Sequence, residues 1–286
     1  MIPKIASITV LYNPGKSFQG NILSYAGYVD DVIIINNSDN ENSDITGIPG
    51  VSSDKLHIIN YGKNFGIARA LNDGTKKAIE LGAEWILTMD QDSCFNPDEI
   101  SRYIHRVKLQ MPNNTSIAGP NHDDKPYNKK DNYFIDVDSV ITSGCIFHKK
   151  VFEATNGFDE KLFIDDVDHE FCYHAKSLGF NIQQWLDIKL SHKLGNQKDT
   201  GIGIIKFGKR IFHSNIRLYF MVRNGLYIQK KYGKLFPISI KKNNTDLIHR
   251  IKNHLLFGEK RWKTFKLVIN GYLDYKRKKF GNPFYK

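Results

Sequence analysis

Two aspartates one residue apart, Asp90 and Asp92, close the stretch WILTMDQDS (residues 85–93), where a hydrophobic run gives way abruptly to acids. Alternate side chains of an extended segment share a side, so both carboxylates can converge on one cation or on its phosphate ligands. A hard divalent ion, Mg2+ or Mn2+, held by one or two carboxylates and completed by phosphate oxygens and water, is the usual arrangement around nucleotide substrates. The competing reading is a polar turn after a buried strand, signalled by Asn96 and Pro97. A second acidic stretch, FIDDVDHEFC (163–172), packs Asp165, Asp166, Asp168 and Glu170 ahead of an apolar-periodic segment. Helix capping and the macrodipole account for Asp165 and Asp166. Four acids within six positions exceed what capping needs, and their repulsion calls for a cation, a basic ligand or raised pKa values. His192, just beyond a strand-like run at Ile182–Leu190, competes for the place of a third metal ligand, against a purely structural role.

The elements that must position these groups alternate in the first half of the chain. Strand-like runs at Ala6–Leu11, Val32–Ile35, Leu56–Ile59 and Glu84–Met89 are separated by helical or irregular segments, an α/β signature. The run VIII (32–35) is continuous and β-branched, as a central parallel strand requires, and it ends in Asn36, Asn37 and Ser38. Tyr12, Asn13 and Pro14 follow the first strand in the same way, so successive strands end in hydrogen-bonding groups on one edge, where a ligand crevice opens. Residues 60–82 fit a helix entered through Gly62 and Gly66, a glycine-rich entrance suited to phosphate. Neither GxGxxG nor GxxxxGK[ST] is present, which excludes a dinucleotide fingerprint and a P-loop. Residues 134–150 read as two short strands around a turn at Ser143 and Gly144, and Glu170–Leu178 as a helix. From Gly201 onward, Phe207, Ile211, Phe212, Ile216, Phe220, Leu226 and Tyr227 interleave with Lys206, Lys209, Arg210, Arg217 and Arg223, predicting one or two basic amphipathic helices.

With 286 residues, 41% of them hydrophobic, the chain is long enough for a catalytic domain at 1–204 and an appendage at 205–286. Charge divides the same way. Residues 1–204 hold 20 Lys+Arg against 27 Asp+Glu, giving −7, and residues 205–286 hold 21 against 3, giving +18. A basic tail points to an anionic membrane surface, with nucleic acid as the competing polyanion. No apolar run approaches the ~20 residues that span a bilayer, and the N-terminal run is too short for a signal peptide, so a cytoplasmic location is expected. Cys94, Cys145 and Cys172 form no CxxC pair and read as reduced core fillers.

In order, LYNP, INNS, NFGIARALN, LTMDQDS, TSG, GFDEKLFIDDVDHEFC and a later lone histidine resemble the family 2 glycosyltransferases, and within them the bacterial rhamnosyltransferases, over residues 5 to about 230. The resemblance implies a GT-A fold, a mixed and mostly parallel sheet flanked by helices with a basic C-terminal helical appendage. It also implies a nucleotide-diphospho-sugar donor and inversion at the anomeric carbon. Carried over position by position, Tyr12, Asn13, Asn36, Asn37, Asn64, Gly66, Arg69, Asp90 and Gln91 would contact the nucleotide sugar, and Asp92 and His192 would hold the divalent cation. Alignment on Cys172 places the general base at Asp168, with Asp165 and Asp166 as alternatives, and Ser143, Gly144 and Asp159 would face the acceptor. The function so implied moves L-rhamnose from dTDP-rhamnose to a lipid-linked bacterial surface glycan of O-antigen or capsule type, at the inner face of the cytoplasmic membrane. A UDP-sugar donor (galactofuranose, glucose or GlcNAc) is the alternative within the fold. A non-enzymatic protein gripping nucleic acid through its tail is the alternative outside it, and it leaves the acidic body without a purpose.

Overall fold

The computed structural model describes residues 2–39, 45–109, 115–122, 127–128, 132–192, 197–202, 205–211, 214–258 and 260–284, with 192, 197–202 and 205–211 as backbone. Contacts divide the chain into two units. The first comprises residues 1–160 and 168–192; the second comprises 161–167 and 193–286. Where charge and pattern draw a boundary at 204/205, contacts draw it at 192/193 and give the second unit the front half of the acidic stretch.

The first unit is built on strands β1 (Ile5–Leu11), β2 (Asp31–Asn36), β3 (Leu56–Asn60), β4 (Trp85–Asp90), β6 (Thr115–Asn121), β7 (Phe134–Asp136), β8 (Cys145–His148) and β9 (Asn181–Lys189). They form one sheet in the order β3-β2-β1-β4-β8-β6-β9-β7. β1, β2, β3 and β4 are mutually parallel; β8 runs antiparallel between β4 and β6, and β9 parallels β6. Helices α1 (Phe18–Ala26), α2 (Ile67–Glu80), α3 (Pro97–Leu109), α4 (Lys149–Thr155) and α5 (Val167–Ser177) flank it, and a short pair joins β5 (Ser93–Cys94) to β10 (Ser191–His192). β1 and β2 are buried along their whole length, which is why they read as unbroken apolar or small-residue runs. The core draws Ile5, Leu11, Ile34, Leu87 and Ile146 from the sheet, with Tyr25 from α1, Tyr103 from α3 and Trp185 from β9. The two strands expected as neighbours around Ser143–Gly144 do not pair: β7 pairs with β9, while β8 sits beside β4.

The second unit holds a β-hairpin of β11 (Gln197–Ile202) and β12 (Ile205–Ile211), then helices α6 (Asn215–Tyr232), α7 (Pro237–Phe257) and α8 (Arg261–Lys276). This corrects the sequence reading of a helix from Gly201: Lys206, Phe207, Lys209, Arg210 and Ile211 lie in a strand, and Phe212 lies outside the described residues. Mixed basic and apolar spacing is compatible with both periods over so short a run. In α6, Arg223 is fully buried, flanked by Tyr219 and Phe220 and donating to the carbonyls of Lys161, Leu162 and Gly281. Asn224 Nδ2 reaches the carbonyls of Leu162, Ile164 and Asp165 at 2.8–3.0 Å. Arg223 therefore holds the backbone just before the acidic stretch, and Asn224 holds the first residues of the stretch itself, both through carbonyls. No helix among the described residues is long and apolar enough to cross a membrane.

Candidate active site

Sheet register brings the polar strand ends to one edge. Leu11 pairs with Asn36, Asn36 with Asn60, and Val10 with Asp90, so β1 to β4 finish level. The chain winds outward from β1 to β3 and returns on the other side of β1 as β4. This is a topological switch point, where ligands of open α/β sheets bind beyond the carboxyl ends of the strands.

Gln91 spans that point. Its Oε1 accepts from Tyr12 N at 2.8 Å and its Nε2 donates to Tyr12 O at 3.2 Å, while Asn21 Nδ2 donates to Gln91 O at 2.8 Å. Asn13 adopts a left-handed φ of 44° with its N–H on Ser38 Oγ at 2.9 Å. Asn37 donates to Asn64 Oδ1 at 3.0 Å and accepts from Phe65 N at 2.8 Å, and Asn64 Oδ1 also accepts from Gly66 N at 2.9 Å. Asn36 Nδ2 is bonded to Asn60 Oδ1 at 2.9 Å. Asp39 ties Tyr12 Oη at 2.9 Å to Asn64 N at 3.0 Å; the sequence reading passed over it, although it directly follows the INNS signal. Gly66 precedes α2 with φ 90°, a conformation open to glycine, and Arg69 lies half-exposed on the first turn of α2, its guanidinium 4.6 Å from the Phe65 ring centre. Tyr12, Asn13, Asn36, Asn37, Asn64, Gly66 and Gln91 are thus joined along one edge by hydrogen bonds, most of them between segments distant in the chain, and Arg69 stands beside them against the Phe65 ring.

Asp90 ends β4, half-buried, but Asp92 is exposed in a turn. The expected extended alternation stops at Asp90: residues 91 and 92 form a turn, in which the Gln91 side chain is held on the backbone of Tyr12. Beyond the turn, Ser93 registers with His192, so the backbone of β10 runs beside the acidic motif; the His192 imidazole lies outside the described side chains. Ser143, expected to face an acceptor, is instead fully buried with its hydroxyl on Ser93 Oγ at 2.6 Å, and therefore braces the turn. Gly144 has φ 74°, and a Cβ there would fall 2.8 Å from Pro120 Cγ, so its backbone is packed rather than open. Among the described residues no three His, Cys, Asp or Glu side chains gather as a metal cage. The donor set still fits a hard cation, since Mg2+ and Mn2+ need only one or two carboxylates when phosphate oxygens and water complete the shell.

Asp168 opens α5 and its Oδ1 accepts from His169 N at 2.9 Å. It lines a small cavity with Thr88 on β4, Thr142, Cys145 and Cys172. Thr88 Oγ1 donates to Thr142 O at 2.6 Å, joining the cavity wall to the strand that ends in Asp90. Burial, then the charges of neighbours including Asp168, hold the Cys145 thiol well above its ordinary pKa; burial likewise pushes Cys172 up to about 12. The alternatives differ in kind. Asp165 and Asp166 both take positive φ, and Asp165 is ion-paired with Arg217, whose Nε lies 3.1 Å from Oδ1. A carboxylate committed to a guanidinium is a poor proton acceptor, which counts against Asp165. Asp159 is half-buried in a turn clamped by Asn72, whose amide donates to Phe158 O at 3.0 Å and Glu160 Oε1 at 2.9 Å and accepts from Phe158 N at 2.8 Å. Asn72 ends the NFGIARALN motif; nothing in that motif shows that its partner is 86 residues away.

The model of the family described as Glycosyl transferase family 2 matches residues 8–179. The dTDP-rhamnosyl transferase RfbF of Shigella flexneri is 34% identical over 218 residues, 68% of this chain and 70% of that protein. The low-salt glycan biosynthesis hexosyltransferase Agl10 of Haloferax volcanii is 24% identical over 208 residues, 64% of this chain and 65% of that protein. Among solved structures, S. aureus TarS aligns with TM-score 0.54 and 15% identity over 96% of this chain, and this chain spans 49% of it. GalNAc-T7, crystallised with UDP, GalNAc and Mn2+, aligns with TM-score 0.52 and 11% identity over 67% of this chain, which spans 44% of that one. At such identities the likeness to the two structures is one of fold.

Proposed function

We propose, from the premise that this chain belongs to the family 2 glycosyltransferases and is a glycosyltransferase of GT-A fold, that it transfers L-rhamnose from dTDP-rhamnose to a hydroxyl of a lipid-linked glycan. The observation that carries the donor is the 34% identity to a protein named as a dTDP-rhamnosyl transferase. The strand-end cluster of Tyr12, Asn13, Asn36, Asn37, Asn64 and Arg69 supports binding of the nucleotide, because side-chain amides and backbone N–H groups at a switch point suit a base and diphosphate. Asp90 and Gln91 would hold the ribose or sugar at the end of β4. Asp92, with His192 from the neighbouring strand, would hold the divalent cation, which when bound neutralises charge on the departing diphosphate.

Asp168 is the base in this reading. Its carboxylate takes the proton of the acceptor hydroxyl as that oxygen attacks the anomeric carbon from the face opposite dTDP; the new C–O bond forms as the bond to the diphosphate breaks, and configuration inverts. The polar Thr88, near the end of strand β4, and Thr142, bonded to it, line the same cavity and support this assignment. The acceptor would be part of a surface glycan assembled on lipid at the inner face of the cytoplasmic membrane, and the +18 charge of residues 205–286 supports an anionic surface as partner. Calorimetric titration of dTDP-rhamnose, UDP-glucose, UDP-galactofuranose and UDP-GlcNAc, with and without Mn2+, tests the donor. Metal-strengthened binding of dTDP-rhamnose alone is expected, and tighter binding of a UDP-sugar would replace it.

A further inference from the structure

Helix α8 carries apolar residues on two opposite faces. One is packed: Thr264, Leu267 and Gly271 are buried, and a Cβ at Gly271 would come 2.6 Å from Tyr219 O, so the helix rests on α6 with backbone close to backbone. The other face is bare. Trp262 is 78% exposed and Phe265 45%, and Ile269, Tyr272 and Leu273 are exposed with them. Their spacing of i, i+3, i+7, i+10 and i+11 lays all five along one stripe of the helix. Lys263, Lys266 and Arg277 border the stripe and are exposed, and Lys276 stands within it, Nζ 5.6 Å from the Tyr272 ring centre.

We infer that this face of α8 is a membrane-docking surface that inserts its aromatic residues at the headgroup boundary of an anionic lipid bilayer. The inference deepens the membrane reading above by naming the element that makes contact, and does not depend on which nucleotide sugar is used. Trp, Phe and Tyr on one face with Lys and Arg at its border are the composition of a helix lying in the interfacial plane. Charge selects the occupant: a second copy of the chain would bring one +18 region against another, whereas anionic headgroups complement it.

Trp262 reports on this directly, because the other two tryptophans, Trp85 and Trp185, are buried. The full chain is mixed with vesicles of equimolar phosphatidylglycerol and phosphatidylcholine, and with vesicles of phosphatidylcholine alone, while sedimentation and tryptophan emission are followed. Binding to the anionic vesicles with a blue shift of Trp262 is expected, and the shift should vanish in Trp262→Phe. The double variant Trp262→Ser/Phe265→Ser and the charge variant Lys263→Glu/Lys266→Glu should each bind about tenfold more weakly, with unchanged melting temperature and unchanged dTDP-rhamnose titration. Absence of vesicle binding, binding without a Trp262 shift, or lipid-free self-association that buries Trp262 would overturn the inference. Loss of the dTDP-rhamnose titration in the unmutated chain would bear on the donor and leave the surface standing.

Discussion

Gln91 shows how one side chain sets the geometry of the site. By closing two hydrogen bonds on the backbone of Tyr12, it joins the ends of β1 and β4 at the turn that carries Asp92. Both bonds are partly solvent-exposed, so replacement by Ala should cost about 1 kcal/mol, which calorimetry would read as a roughly fivefold weaker affinity for the nucleotide sugar. An unchanged affinity would mean that the bridge is incidental to binding. The acids themselves stand out in the sequence because they end an apolar strand abruptly, a pattern that also suits the polar turn in which Asp92 lies. Their geometry is not legible there: the partner that holds Gln91 lies 79 residues away, beyond the reach of any local pattern. What sets Asp165 apart from Asp168 is its pairing with Arg217, a contact 52 residues distant.

At the level of elements, the parallel strands β1, β2 and β4 could be read because burial along nearly their whole length imposes apolar runs, whereas the partly buried β3 is a shorter apolar run; all four run out level into polar groups. β7 and β8 were legible as strands but not in their pairing, since each takes a partner distant in the chain. Strand β12 suits a helical reading from Gly201 because the mixed basic and apolar residues of IKFGKRI satisfy either period over so short a run. Asn72 extends the lesson to packing. Seated in α2 and buried, it holds the turn before the acidic stretch by both the N–H and the carbonyl of Phe158. Substitution by Ala strips both groups of their partner, at about 2–4 kcal/mol. Differential scanning calorimetry should show the melting temperature lowered by roughly 5–15 °C. A shift of less than about 2 °C would show that the turn holds itself.

On the scale of the whole molecule, charge divides the chain into an acidic part and a strongly basic one, and its three thiols differ in burial. Cys145 and Cys172 are buried with their pKa values raised, whereas Cys94 is partly exposed at β5. A thiol reagent at neutral pH should therefore label one cysteine in the native protein and all three after denaturation. Rapid labelling of two or three in the native state would contradict the packing around Asp168. The proposed arrangement, a nucleotide at the strand ends with a carboxylate base in the first turn of α5, is tested by one comparison. The rate of radiolabel transfer from dTDP-rhamnose into a lipid extract is measured for the unmutated chain and for Asp168→Asn, alongside the donor affinity of each. Transfer should fall by about 10²–10⁴-fold while donor affinity stays within about twofold. Transfer undiminished in Asp168→Asn would remove the base from this position and with it the proposed chemistry.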